Sequence, residues 1–281
     1  AEFLKNTKRL GWEGLNIWFF PTYQFAHFPI YMISILNKRA PTHPNWCEDN
    51  YWIKETKNLI IGAVLDGCST GKDSHFASTL FKHLLERIHK TNYDYYERES
   101  SLGIIEVYLW ELWGVGREVK QLCSLSEMNL LSTVVMFVYN KETLQLTVKF
   151  VGDGVVYANG QEFVNDEANQ PNYLAYHFEK SFEEAQKFIN SRRMETFENV
   201  VDFSVCTDGI QSFVNLKNPS LDPKIAVDYL VKDTRWVGMT HGLGKKFNIL
   251  TNRVDEYKLS DEMCWWEIQD DLTIIRYHDT V

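Results

Sequence analysis

No two of the five cysteines form a CxxC or CxxH pair, and the count is odd. Both facts argue against a disulfide framework or a structural zinc site, and a reducing cytosol is the expected setting. The chain also lacks a signal-peptide pattern, an internal repeat, a low-complexity tract and any linker-like stretch. Strand and helix signals run evenly through its 281 residues. One large domain over 29–281 is therefore expected, with an aromatic extension, 1–28, packed on or beside it. Positive charge is in deficit: 29 Lys and Arg against 38 Asp and Glu leave a formal net charge of -9. Nucleic acid and anionic membrane are poor partners for such a surface. The nearest thing to a membrane segment, Leu15–Leu36, carries no Asp, Glu, Lys or Arg but is broken by Pro21, Gln24, His27 and Pro29. It reads as extended, partly buried chain, with a spanning helix as the alternative.

What is present centres on Leu59–Ser78. The uncharged run Leu59–Leu65 reads as a fully buried strand and ends abruptly at Asp66-Gly67. A polar loop follows, then an amphipathic helix from about Ser74, with Phe76, Leu80, Leu84 and Ile88 on one face. Asn92–Ser101 breaks it, and a second, heavily apolar helix runs over Leu102–Leu122, with Gly114 and Gly116 as candidate interruptions. Ile30–Leu36 and Trp46–Ile53 are earlier strands.

The middle of the chain is strand-rich. Leu130–Tyr139 and Leu144–Val151 form a hairpin, and Val155–Ala158, Asn159-Gly160 and Gln161–Val164 a second with a type I′ turn. Ser181-x-x-Glu184 is a capping box opening a helix to about Asn190. Val200–Thr207 is a strand ending at Asp208-Gly209, followed by a short helix, Ile210–Leu216. A further helix has Asp222 as cap and Pro223 at its first position, and 242–258 is partly helical. The last strand is led in by Asp270-Asp271.

A single Asp-Gly is simply a turn. Here the pattern recurs: Glu48-Asp49 on an early strand, Asp66-Gly67, Asp208-Gly209 and Asp270-Asp271. Carboxylates gathered from separate strand ends repel one another unless cations compensate them. Oxygen-rich sites of this kind suit Mg or Mn, and two such ions can share and activate a water for attack on phosphorus.

The segments NWCEDNYWI, AVLDGCSTGKDSHFAS, LLSTVVMFVYN, VKFVGDGVVYANG, DFSVCTDGIQSF and DDLTIIRY, in this order, resemble the metal-dependent Ser/Thr protein phosphatases of type 2C, in a divergent bacterial form. The resemblance spans Trp46 to Tyr277. It implies an α+β, four-layer α-β-β-α sandwich with two central, mainly antiparallel sheets and a binuclear Mg or Mn site at one end. Asp66 would bridge both ions, with the Gly67 carbonyl on the second. Asp208 and Asp270 would hold the first ion; Glu48 or Asp49 would serve the second, Asp49 being favoured. The implied substrate is a phosphoprotein, a Ser/Thr kinase or its target, hydrolysed at phosphoserine or phosphothreonine by the shared water without a phosphoenzyme. The chain departs from the family at three places. Cys68 stands where many members have a histidine, and Pro44 where a phosphate-binding arginine is common, which leaves neighbouring His43 as a candidate donor. Leu131-Ser132-Thr133 replaces the usual small triplet associated with a third metal. Asp153, matching the family's Gly-Asp-Ser, is either a third-metal contact or a structural hydrogen-bond acceptor, the second being favoured. The alternative function is a pseudophosphatase, the same fold acting as a binding or regulatory module.

Two other readings fail on spacing. Only three residues separate Gly67 from Gly71, and Asp73 follows Lys72, so the loop is not a nucleotide P-loop. No serine has a nucleophile-elbow context. Cys47, Cys68 and Cys206, each within two residues of a proposed ligand, read as small hydrophobes at strand ends, with Cys47 and Cys206 on the faces of Asp49 and Asp208.

Overall fold

The computed structural model describes residues 31–43, 45–70, 73–91, 99–168, 170–236, 239, 241–252 and 263–279. The aromatic stretch 1–28, Pro44, Gly71, Lys72, most of the polar break after Thr91 and the distal part of the 242–258 helix lie outside the described residues.

Ten strands form two antiparallel sheets. One is ordered β1 (Tyr31–Lys38), β12 (Leu272–Asp279), β9 (Asp202–Cys206), β6 (Gly154–Ala158) and β7 (Gln161–Asn165). The other is ordered β2 (Asn50–Glu55), β3 (Leu59–Gly67), β4 (Ser132–Asn140), β5 (Gln145–Val151) and β8 (Met194–Phe197). Helices α1 (Ser74–Thr91) and α2 (Ser101–Leu122) cover the second sheet; α4 (Lys224–Val231) and α5 (Gly242–Leu250) cover the first. The short α3 (Phe182–Ser191) packs beside α2.

Three apolar layers hold these four together. Between the sheets, Ile60, Val64, Val135 and Phe137 meet Val156, Phe203, Val205 and Tyr277. On the other face of β3, Ile61, Ala63 and Leu65 pack with Phe81, Leu85 and Leu109 of the helices. Both faces of β3 are thus buried, which is why its sequence is a continuous apolar run rather than an alternating one. By the same two-residue period Asp66 falls on the inter-sheet face, at the open end of the sandwich.

Local signals shape several joints. Asn159 and Gly160 take φ of 47° and 79° in the β6–β7 turn, as a type I′ hairpin requires. The Ser181 hydroxyl accepts the Glu184 N–H while the Glu184 carboxylate accepts that of Ser181. Ser100 caps α2 through the Gly103 N–H at 3.1 Å.

Elsewhere the structure corrects the sequence. Gly114 and Gly116 do not interrupt α2. Gly116 instead admits the Phe178 ring, which would lie 2.5 Å from any Cβ built there. The expected helix Ile210–Leu216 is a 3-10 turn, Asp208–Gln211, followed by β10 (Phe213–Asn215). β10 pairs with β11 (Trp266–Ile268), a partner over fifty residues away that leaves no local trace. Residues 45–49 are not strand, so Cys47 and Asp49 share no strand face. Their backbone is committed to other elements, as the site makes clear. Among the described residues no helix is long and apolar enough to cross a membrane.

Candidate functional site

Asp66, next to last in β3, is paired with Thr133 of β4 and donates its N–H to the Thr133 hydroxyl at 3.2 Å. Gly67 follows because nothing larger fits. A Cβ there would lie 2.1 Å from the Ser74 carbonyl oxygen, where α1 begins. The Gly67 N–H donates to the Glu48 carbonyl at 3.2 Å, which brings the 45–49 segment against the end of β3.

Asp208 opens the 3-10 turn beyond β9. Gly209 presses this turn against the chain entering β12, where its Cβ would stand 1.7 Å from the Asp271 carbonyl oxygen. The Asp270 N–H donates to the Ser212 hydroxyl at 3.1 Å, fixing the same approach from the other side. Asp208 and Asp270 thereby line one cavity of about 260 Å³, together with Asp153, Asn165, Asp166 and Gln211. Asp153 also accepts the Glu167 N–H at 2.6 Å.

The two aspartates of the Asp270-Asp271 pair have different work. Asp271, 1% exposed, accepts the Ala40 N–H at 2.6 Å on one oxygen and the Glu48 N–H on the other. It is a fastener that ties the β1–β2 connection to the start of β12. Glu48 accepts the Ser74 hydroxyl on Oε1, while Oε2 is buried without a hydrogen-bond partner. Asp49, 3% exposed, accepts the Thr207 hydroxyl on Oδ2 at 2.6 Å. Its Oδ1 is buried and unpartnered. His43 joins the cluster: Nδ1 lies 3.1 Å from Asp271 Oδ1 and 3.9 Å from Glu48 Oε2, and Nε2 lies 3.8 Å from Asp270 Oδ1.

Electrostatics registers the crowding. Burial, then the charges of Asp49, Asp208 and Asp270, pushes the Asp66 carboxyl well above its ordinary range. Burial does the same to Asp49, against hydrogen bonds from Thr207 and Asp66 that favour its charged form. Asp208 is pushed up to about 6 by burial and by Asp270 and Asp153. At His43, burial disfavours the charged ring, but contact with Asp271 and the charges of Glu48 and Asp270 outweigh it, so its pKa stands above the usual value.

Asp66 thus stands within the fields of Asp49, Asp208 and Asp270, with His43 at the rim beside Asp270. An all-oxygen donor set with a buried carboxylate oxygen lacking any proton donor suits a hard divalent cation. Among the described residues no three Asp, Glu, His or Cys side chains close tightly enough to chelate one ion alone. A cation here would complete its shell with water, as Mg does.

Sequence reasoning did not single out Thr207, Ser74 or the fastening role of Asp271. Each directly precedes or follows a residue it did single out or opens a helix, so adjacency was the only signal available.

An antiparallel two-sheet sandwich with an acidic cluster at one open end defines a class of fold and site. The sequence profile of protein phosphatase 2C matches residues 43–245, well over half of the chain, and the chain belongs to that family. Solved structures share the fold. A bacterial serine phosphatase carrying a point mutation is 14% identical, with a TM-score of 0.55 over 89% of this chain and 98% of that one. PppA, a regulatory component of T6SS in Pseudomonas aeruginosa, is 14% identical, with a TM-score of 0.53 over 89% and 97%. RsbX, solved in complex with magnesium, is 17% identical, with a TM-score of 0.50 over 89% and 96%. No curated protein sequence matches.

Proposed function

We propose that this protein is a Mg- or Mn-dependent phosphoprotein phosphatase that hydrolyses phosphoserine or phosphothreonine. The observation that carries the reading is the gathering of Asp49, Asp66, Asp208 and Asp270 into one partly buried cluster whose carboxylates outnumber the one neighbouring imidazole, His43. Asp66, Asp208 and Asp270, which do not close on one point in this structure, would share a first divalent ion with waters completing its shell, and Asp66, Asp49 and the Gly67 carbonyl a second. Bound there, such ions lower the pKa of water and neutralise phosphoryl charge. The chain's own groups would do the rest. Thr207 orients Asp49, Asp271 fixes the backbone on which Glu48 and Asp49 sit, and His43, whose pKa its neighbouring carboxylates raise, would donate to a phosphate oxygen or to the departing alkoxide.

The test is phosphate release from phosphoserine and phosphothreonine peptides with manganese, and with EDTA. Cation-dependent release, lost in Asp66→Asn and Asp208→Asn, is expected; undiminished release in either variant overturns the reading. Cys68, directly after Gly67 where many family members have a histidine, favours a second reading in which the fold is an inactive binding module. Manganese binding without hydrolysis of any phosphate ester would select it.

A further inference from the structure

A second cavity, of about 550 Å³, opens at Cys68, the residue directly after the end of β3. Its apolar walls are Cys68, Met128, Leu131, Pro171, Tyr173 and Tyr176, and Thr70, Gln170 and Asn172 add uncharged polar groups between them. None of the described residues lining it is charged, in contrast to the acidic cavity beside it. Tyr173 and Tyr176 stand edge to face with centroids 5.6 Å apart, forming an aromatic wall. Met128 and Tyr176 are 47% and 38% exposed, large apolar side chains left open to solvent at the cavity's mouth.

The two cavities are neighbours through shared chain. Asp166 lines the acidic one, and Gln170 and Pro171 the uncharged one. Gly152 packs between Thr133, the hydrogen-bond partner of Asp66, and Pro171. The Cys68 N–H donates to the Leu131 carbonyl at 3.1 Å, so the catalytic loop itself forms the cavity wall. Cys68 is two residues beyond Asp66, at most about 7 Å along the backbone. In an extended peptide, side chains two residues apart share a face and are separated by about 6.5–7 Å.

Resting on the phosphatase reading above, we propose that this cavity receives an apolar or aromatic side chain two residues from the phosphoresidue of a bound, extended substrate chain. The acidic cluster would then select the phosphate, and the Tyr173–Tyr176 wall the sequence around it. The occupant is the substrate itself, because the cavity opens off the candidate catalytic loop and matches an uncharged side chain.

The test is binding, so that it stands apart from catalysis. Short fluorescein-labelled peptides carrying a non-hydrolysable phosphonate in place of phosphoserine are titrated with manganese-loaded protein. Phe, Leu, Ala, Lys or Glu is placed two residues before or after the phosphonate. Phe or Leu at one of these positions is expected to tighten Kd about tenfold over Ala. Tyr176→Ala and Met128→Ala should each narrow that ratio while the Ala peptide binds as before. Equal Kd across the set, absence of binding by every peptide, or a ratio unchanged in both variants overturns the inference. Hydrolysis of p-nitrophenyl phosphate, too small to reach the cavity, is measured separately. A protein that shows the Kd preference but no hydrolysis would overturn the phosphatase reading and leave the cavity's side-chain preference standing for a bound phosphopeptide that is not a substrate.

Discussion

The Thr207 hydroxyl donates to Asp49 Oδ2 at 2.6 Å and accepts the Thr273 N–H at 2.9 Å. One side chain thus links the end of β9, the beginning of β12 and a carboxylate that precedes β2. The other group at this carboxylate is Asp66, itself a proposed ligand, so among the described residues Thr207 is the neighbour outside the ligand set that fixes which way it turns. Thr207→Val keeps the shape and removes the donor. It is expected to cost about 1–3 kcal/mol in stability, since a buried charged acceptor is left unsatisfied. Manganese affinity should fall by about 10–100-fold, the usual cost of losing a group that orients a ligand. Thr207→Ser should recover both. Urea denaturation and calorimetric manganese titration measure the two effects, and an unchanged manganese affinity in the Val variant would remove Thr207 from the site.

Gly209 makes the closest backbone approach of the described glycines at the acidic end. A Cβ 1.7 Å from the Asp271 carbonyl cannot be relieved by rotating a side chain, because the obstacle is backbone. Gly209→Ala must therefore push the Asp208 turn away from Asp270, at a cost of about 1–3 kcal/mol or more, and abolish cation binding. Gly160→Ala is the contrasting case. Its φ of 79° disfavours alanine, but nothing lies within 4 Å of the added carbon. About 1–2 kcal/mol of stability should be lost there, with cation binding intact. Chemical denaturation of the pair, alongside manganese titration, separates a general loss of stability from dismantling of the site.

What the sequence disclosed follows from range. The β3 run, the Asn159-Gly160 turn and the Ser181 capping box are decided by neighbours within a few residues, and each formed as expected. The four acidic stations were legible because a carboxylate at the end of an apolar run is a local anomaly. The β10–β11 ladder, the shape of 45–49 and the role of Asp271 were not. Glu48 gives its N–H to a residue 223 positions away, and that partner, not local propensity, holds the segment out of the strand expected there. β8 escaped because an exposed edge strand of four residues shows almost no apolar pattern.

His89 supplies a pH dependence remote from the acidic end. It is buried on α1 against Trp52, with Nδ1 2.7 Å from the Tyr108 hydroxyl. Burial, aided by the charge of Lys54, lowers its pKa below the ordinary value. The unfolded chain then binds a proton near pH 6.5 while the folded one still refuses it. Stability rises with pH through this interval and falls as pH drops below about 6.5. His89→Gln, which retains hydrogen bonding without titrating, is expected to flatten the decline in melting temperature between pH 7 and pH 5. An identical decline in the two proteins would show that His89 does not contribute.

The acidic cluster predicts a reversal of sign between metal-free and metal-loaded protein. Without cations, Asp66 and Asp208 face like charges in a partly buried setting, and that repulsion opposes folding. Asp208→Asn removes one of the charges and should raise the melting temperature in EDTA above that of the wild type. With manganese at a hundredfold excess over Kd, the wild type should gain about 2.7 kcal/mol for each ion bound to the folded state alone. The variant should gain little, so the order of the two melting temperatures inverts on adding metal. Scanning calorimetry of both proteins in EDTA and in manganese reads this directly. If Asp208→Asn is less stable than wild type in EDTA, and manganese shifts both equally, the carboxylates are held by something other than a cation site.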